Sequence, residues 1–200
     1  DWDMPPGAIV GITGANGLGK TTLVNLITGR ETPDAGEVEV GHNTRFCYVD
    51  QTRQSLNDEK TVYEEVAEGS EVIAYGDKEL SIRHYLARFL FSGPIQQTLV
   101  GRLSGGERNR VQLAKSLRVP SNFIILDEPT NDLDLMTLRV LEEALSEFPG
   151  CAIVITHDRY FLDRVATHVI GFEGDGRVEF CTGAWDYYAD QRARREEEMG

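Results

Sequence analysis

Apolar runs and helical stripes alternate along this chain. Ala8 to Thr13 is a short apolar run, followed by a glycine-rich turn at Gly14 to Gly19 and a helical stretch from Lys20 to Thr28. Gly29 closes that helix and Pro33 lies beyond it. Glu37 to Val40 and Arg45 to Val49 read as strands around the turn Gly41-His42-Asn43. Thr61 and Glu64 form a Thr-x-x-Glu capping box, so a helix starts there, and Leu80 to Phe91 is helical up to Gly93-Pro94. These segments lack strand signals, which makes Gln51 to Leu103 a mostly helical insert. Beyond it, Glu107 to Leu117 carries Val111, Ala114 and Leu117 on one stripe. Phe123 to Asp127 and Ala152 to Thr156 are buried strands around a helix from Leu135 to Phe148. Asp158 caps a helix to about Val165, and Val169–Phe172 with Arg177–Cys181 flank a hairpin turn at residues 173–176. The charged tail from Gln191 begins a helix or frays.

Apolar strands alternating with helices predict an α/β fold: a parallel sheet covered on both faces, with ligands outside the carboxyl ends of its strands. The chain opens at Asp1 and enters a strand almost at once, so it reads as a piece of a longer polypeptide. An apolar content of 40% supports a substantial core. The net charge of −13 argues against wrapping nucleic acid or an anionic membrane through bulk electrostatics. Cys47, Cys151 and Cys181 are odd in number and far apart, which fits neither a zinc site nor a disulfide framework and suits a reducing compartment. Cys151, opening an apolar run, reads as a buried small hydrophobe. No apolar run reaches membrane-span length.

The chemistry lies at strand ends and helix starts. Gly14-Ala15-Asn16-Gly17-Leu18-Gly19-Lys20-Thr21 matches G-x-x-x-x-G-K-[ST] between a strand and a helix. Glycines let the backbone curl so that its N–H groups face phosphates, and the helix dipole points the same way. Lys20 is placed to reach the β- and γ-phosphates, and the Thr21 hydroxyl to ligate Mg²⁺. Phe123-Ile124-Ile125-Leu126 leads into Asp127 and Glu128. Beside a phosphate loop, Asp127 is the Mg²⁺-side acid and Glu128 the group that polarises the attacking water. Ser104-Gly105-Gly106-Glu107 is also a capping box, but two glycines in a first helical turn are costly unless the backbone must approach an anion. Gln51 and His157 each follow a strand, which brings both near a γ-phosphate.

Four strings in this order, GANGLGKTT, LSGGE, FIILDEPTNDLD and ITHD, resemble the motif set of ABC ATPases across essentially the whole chain. The resemblance implies one nucleotide-binding domain over residues 1–200, with 52–118 as a helical subdomain inserted in the α/β core. It implies ATP and Mg²⁺ as cofactors. Gly14, Asn16, Gly17, Gly19, Lys20, Thr21 and Thr22 then hold nucleotide, and Ser104, Gly105, Gly106 and Asp134 belong to the contact with a partner domain's ATP. Gln51 corresponds to the Q-loop residue, shared between metal and water, and His157 to the switch histidine. Two such domains pack head to tail in this family, enclosing each ATP between one phosphate loop and the other signature.

EPTNDLD narrows the resemblance to the ABC-F group, whose members carry two such domains on one soluble chain and in many cases act on ribosomes. KTVYEEV, EFPGCAIVITHDRYFLDRVATH and GRVEF are similar to the second domain of one ABC-F type. A cytoplasmic, ribosome-associated parent without membrane contact is implied; the motor subunit of an ABC membrane transporter has the same chemistry and is the alternative. A non-catalytic scaffold fits less well, because Lys20, Asp127, Glu128 and His157 are all in place. Ala15 departs from the family, which usually has Pro there, and the adenine-stacking aromatic of the family falls before residue 1.

Overall fold

The computed structural model describes residues 2–49, 55–75, 78–131, 133–174 and 176–199. In chain order its elements are β1 (Ile9–Gly14), α1 (Lys20–Ile27), β2 (Phe46–Val49), α2 (Val62–Ala67), β3 (Val72–Tyr75), β4 (Lys78–Ser81) and α3 (Ile82–Arg88). After two 3₁₀ turns come α4 (Gly105–Leu117), β5 (Phe123–Asp127), α5 (Leu135–Ser146), β6 (Cys151–Ile155), α6 (Arg159–Val165), β7 (His168–Gly174), β8 (Arg177–Thr182) and α7 (Trp185–Met199).

The main sheet has six strands in the order β2-β5-β6-β1-β7-β8. Neighbours pair parallel except the β7–β8 hairpin. Side-chain alternation sorts the core onto two faces. Val10, Ile12, Ile125, Ile153 and Ile155 point to the α1 side with Val24. Ile9, Ile124, Leu126, Ala152 and Val154 point to the other side, where they join α4, α5 and the buried residues of α2 and α3 in one cluster. That shared cluster makes the segment from Thr61 to Leu117 continuous with the sheet. Burial of the Val, Leu and Ile side chains among them stabilises the arrangement by about 1.5–3 kcal/mol each.

Caps read from the sequence form as hydrogen bonds. Thr61 and Glu64 make a reciprocal capping box on α2, and Asp158 accepts from the Phe161 amide at the start of α6. The carboxyl end of α2 is closed from outside: the Arg118 guanidinium donates to the carbonyls of Val66 at 2.8 Å and Ala67 at 3.1 Å. A cation at that end also meets the negative pole of the helix. Lys115 pairs at 2.7 Å with Glu65, whose side chain is almost fully buried.

Several expectations are corrected. Residues 37–40 form no strand; Val38 and Val40 are exposed, and among the described residues no neighbouring strand pairs with them, so alternation there has no ladder to join. The segment expected to be helical contains an antiparallel hairpin, β3–β4. Its signal was the β-branched pair Val72-Ile73 ahead of a Gly-Asp turn sequence, outweighed by the charged residues around it. The helix predicted over Leu80 to Phe91 is confined to Ile82–Arg88, because Leu80 and Ser81 are taken by β4. The terminal helix starts at Trp185, not Gln191. Cys151 is only partly buried, whereas Cys47 is buried.

Candidate functional site

The loop between β1 and α1 sits at the carboxyl edge of the sheet. It needs glycine at both ends. At Gly14 φ is +140°, and an added Cβ would lie 2.6 Å from the Phe172 carbonyl oxygen and 2.7 Å from its Cβ. Gly19, at φ +99°, is the residue from which α1 starts. L-residues rarely adopt either conformation. Lys20 is buried, and its ammonium donates to the carbonyls of Gly14 at 2.7 Å and Ala15 at 2.9 Å. The loop is thus closed on its own cation. Thr21 and Thr22 are exposed on the first turn of α1.

Asp127 ends β5, level with Ile155 of β6, which is in turn level with Ile12 of β1. By alternation from Ile125 it faces the α1 side, the side of Thr21. Glu128 follows in a left-handed backbone, φ +48°, held by its amide donating to the Ile155 carbonyl at 2.7 Å. A non-glycine residue in that region costs about 1–3 kcal/mol and is kept where surrounding contacts fix it. The turn redirects the carboxylate to His157: Glu128 Oε1 lies 3.4 Å from His157 Nε2, which also lies 3.2 Å from Asn16 Oδ1. One residue from each of three strand ends therefore meets in a single cluster.

Two supports of this cluster were not read from the sequence. The fully buried Thr156 hydroxyl lies 3.0 Å from the Thr130 hydroxyl and accepts from the Asp158 amide at 3.1 Å. It ties the turn after Glu128 to the turn after His157. Phe172, on β7, presses under Gly14. Thr156 and Thr130 fall inside the quoted strings ITHD and FIILDEPTNDLD, but their pairing, like the seat of Phe172, is set by strand order, which a linear sequence does not display.

Ser104 caps α4 in a complete box. Its amide donates to Glu107 Oε2 at 2.8 Å, its hydroxyl donates to the same oxygen at 2.7 Å, and the Glu107 amide donates to Ser104 Oγ at 3.4 Å. The bonds from the Ser104 side chain and backbone hold the Glu107 carboxyl below its ordinary range. Gly105 is open, with nothing near its missing side chain, whereas an added Cβ at Gly106 would collide with Asp134 Oδ2. Asp134 caps α5, accepting from the Thr137 amide at 2.7 Å, and that backbone bond lowers its pKa first, followed by the Thr137 side chain. The structure thus brings together two sets. Residues 14–22, Asp127, Glu128 and His157 form one, and Ser104, Gly105, Gly106 and Asp134 the other. Among the described residues no hydrogen bond or ion pair joins Ser104, Gly105 or Gly106 to the phosphate loop. Gln51 lies outside the described residues.

Among the described residues no group of three or more His, Cys, Asp or Glu side chains could hold a metal by itself. The oxygen groups among the described residues that the resemblance assigns to the metal are a hydroxyl, Thr21, and a carboxylate, Asp127. Hard oxygen donors so few in number suit Mg²⁺ arriving with nucleotide phosphates, since this ion keeps several waters and takes one or two carboxylates.

Comparison with known proteins agrees with the geometry. The sequence profile of the family described as "ABC transporter" matches residues 1–131. The energy-dependent translational throttle protein EttA of Escherichia coli is 51% identical over 193 residues, covering 96% of this chain and 35% of that protein. EttA of Mycobacterium tuberculosis is 53% identical over 198 residues, covering 97% of this chain and 36% of that protein. The chain therefore spans about a third of the length of these relatives. A solved complex of archaeal ribosomal stalk protein aP1 with the archaeal ribosome recycling factor aABCE1 contains a chain that superposes with a TM-score of 0.64 at 27% identity, over 93% of this chain and 37% of that one. The profile match over more than half the sequence, on a sheet that carries its motifs at the strand ends, makes this chain a member of the ABC ATPase family.

Proposed function

We propose that residues 1–200 form one ABC nucleotide-binding domain, with 52–118 as its helical subdomain, which binds Mg²⁺ and ATP and hydrolyses the γ-phosphate in company with a second ABC domain packed head to tail. The observation that carries this reading is the convergence of Asn16, Glu128 and His157 beside a phosphate loop closed on Lys20. On nucleotide binding the Lys20 ammonium exchanges the Gly14 and Ala15 carbonyls for β- and γ-phosphate oxygens. Loop amides and the α1 dipole complete the anion cradle. Thr21, Asp127 and Gln51 are the residues that would hold Mg²⁺; when bound, the ion neutralises charge on the β- and γ-oxygens.

Glu128 accepts a proton from a water whose oxygen attacks the γ-phosphorus. The bond from γ-phosphorus to the bridging oxygen breaks, and ADP leaves with that electron pair. His157, held by Asn16 and Glu128, orients the water and the γ-phosphate. Ser104, Gly105 and Gly106 would face the ATP of the partner domain, so ATP at the joint favours closure. Since ATP contacts both domains only in the closed pair, it shifts the population toward closure.

The parent protein is proposed to be a cytoplasmic ABC-F factor acting on ribosomes, supported by relatives of 51–53% identity that bear the name of a translational throttle. No helix of the described residues is long and apolar enough to cross a membrane. The test is Glu128→Gln in the two-domain parent, with the matching acid of the other domain also changed. Loss of the base lowers turnover by about 10²–10⁴-fold. ATP is then retained, and the protein sediments with ribosomes. Wild-type turnover in this variant removes Glu128 as the base. Retained ATP without ribosome association leaves the ATPase and removes the translation factor.

A further inference from the structure

Tyr48 stands beside the site without belonging to any motif. It lies on β2 opposite Ile125 of β5, with its ring among the side chains of the α1 face. Its hydroxyl reaches diagonally across the strand pair and donates to Asp127 Oδ2 at 3.1 Å. The Arg30 guanidinium, just past the end of α1, covers the other side of the ring at 4.8 Å from its centroid. The phenol is therefore set between a cation over its face and a carboxylate at its tip.

A carboxylate at a strand end turns easily about its last torsion, whose energy wells are broad. A directional O–H bond to one oxygen fixes the carboxylate plane and leaves the other oxygen in a defined direction. Partners that orient a metal-side carboxylate in this way typically cost 10–100-fold in metal affinity when removed. We infer that Tyr48 is a positioning residue for Mg²⁺·nucleotide: by holding Asp127 Oδ2 it presents Oδ1 to the cation that accompanies the β- and γ-phosphates. The inference rests on the ATP-binding reading of the same site. A tie that merely joined β2 to β5 would affect stability and leave metal demand unchanged.

The test uses the two-domain parent with the other domain's phosphate-loop lysine substituted, so that one site is read. A fluorescent ATP analogue is titrated with Mg²⁺ for the wild type, Tyr48→Phe, Asp127→Asn and the double variant, and each is melted in parallel. Phe keeps the ring beneath Arg30, so the fold is retained. Tyr48→Phe is expected to need roughly 10-fold more Mg²⁺ for half-maximal binding, with binding in EDTA unchanged. In the Asp127→Asn background the same change adds less than about twofold, because the carboxylate that Tyr48 would orient toward the cation is then already absent. An unchanged Mg²⁺ requirement in Tyr48→Phe overturns the inference, as does an equally large shift in the Asp127→Asn background. A wild type whose nucleotide binding ignores Mg²⁺ overturns both the inference and the ATPase reading.

Discussion

At the scale of single residues, the site is a set of short-range constraints on a few atoms. Gly14 is the tightest of them. Alanine there meets the Phe172 backbone at 2.6 Å and must hold φ at +140°. Overpacking of this kind costs about 1–3 kcal/mol. Gly14→Ala is therefore expected to lower the melting temperature and to weaken ATP binding together, measured by calorimetry and by nucleotide titration; ATP affinity equal to wild type would contradict the role of Phe172 as the floor of the loop. Gly14, Lys20, Asp127, Glu128 and His157 were legible because each occupies a fixed offset in a local pattern. The contacts of Tyr48 and Phe172, and the pairing of Thr130 with Thr156 inside two of the quoted strings, were not, since these partners lie across strand pairs. Tyr48 and Asp127 are 79 positions apart and touch only because β2 and β5 are neighbours.

At the scale of elements, helix ends carry much of the function. Ser104 and Asp134 cap α4 and α5, and Gly106 lets the two capped ends touch. Gly106 thus has an internal reason to lack a side chain besides the approach to a partner's phosphate that sequence reading gives it. The terminal helix α7 is fixed differently. Tyr188 is buried over Gly171, where no Cβ could fit, and donates to Glu173 at 3.0 Å; Arg195 reaches the same carboxylate at 2.7 Å. Burial, then the bond to Glu173, pushes the Tyr188 phenol up to about 12. A raised pKa stabilises the fold fully below the ordinary value of 10, and the contribution is lost as pH rises through the folded value. Absorbance titration should show one tyrosine ionising near pH 12, coupled to loss of α7 structure, and Tyr188→Phe should abolish that late step. The helix itself is only half visible in sequence: Gln191–Gly200 is a charged, helix-compatible tail, but its anchoring turn, Trp185 to Tyr188, gives no periodic signal in so short a span.

At the scale of the whole molecule, the α/β class and the placement of ligand chemistry at strand ends followed from apolar runs alternating with helices. Strand order did not, because nothing local says that β1 lies between β6 and β7. The β3–β4 hairpin was missed for a related reason: two short strands with charged neighbours resemble a helix start until they are paired. Among the described residues no hydrogen bond or ion pair joins Ser104, Gly105 or Gly106 to the phosphate loop, and the proposed composite site has a second domain supply that signature. Residues 1–200 alone are therefore expected to hydrolyse ATP slowly, with specific activity rising as protein concentration rises. Sedimentation alongside an ATPase assay checks this; full activity in a monomer at every concentration would rule out the composite arrangement.

The left-handed backbone of Glu128 has a consequence for laboratory evolution. Glycine at this position relieves the left-handed strain of about 1–3 kcal/mol while adding roughly 0.5–1 kcal/mol of unfolded-chain entropy. If Glu128 is the base, as proposed, thermal endurance and turnover pull residue 128 in opposite directions. Libraries selected on heat resistance alone should accumulate Glu128→Gly variants that melt no lower than the parent and no longer turn over ATP, whereas libraries selected on turnover should keep the strained acid.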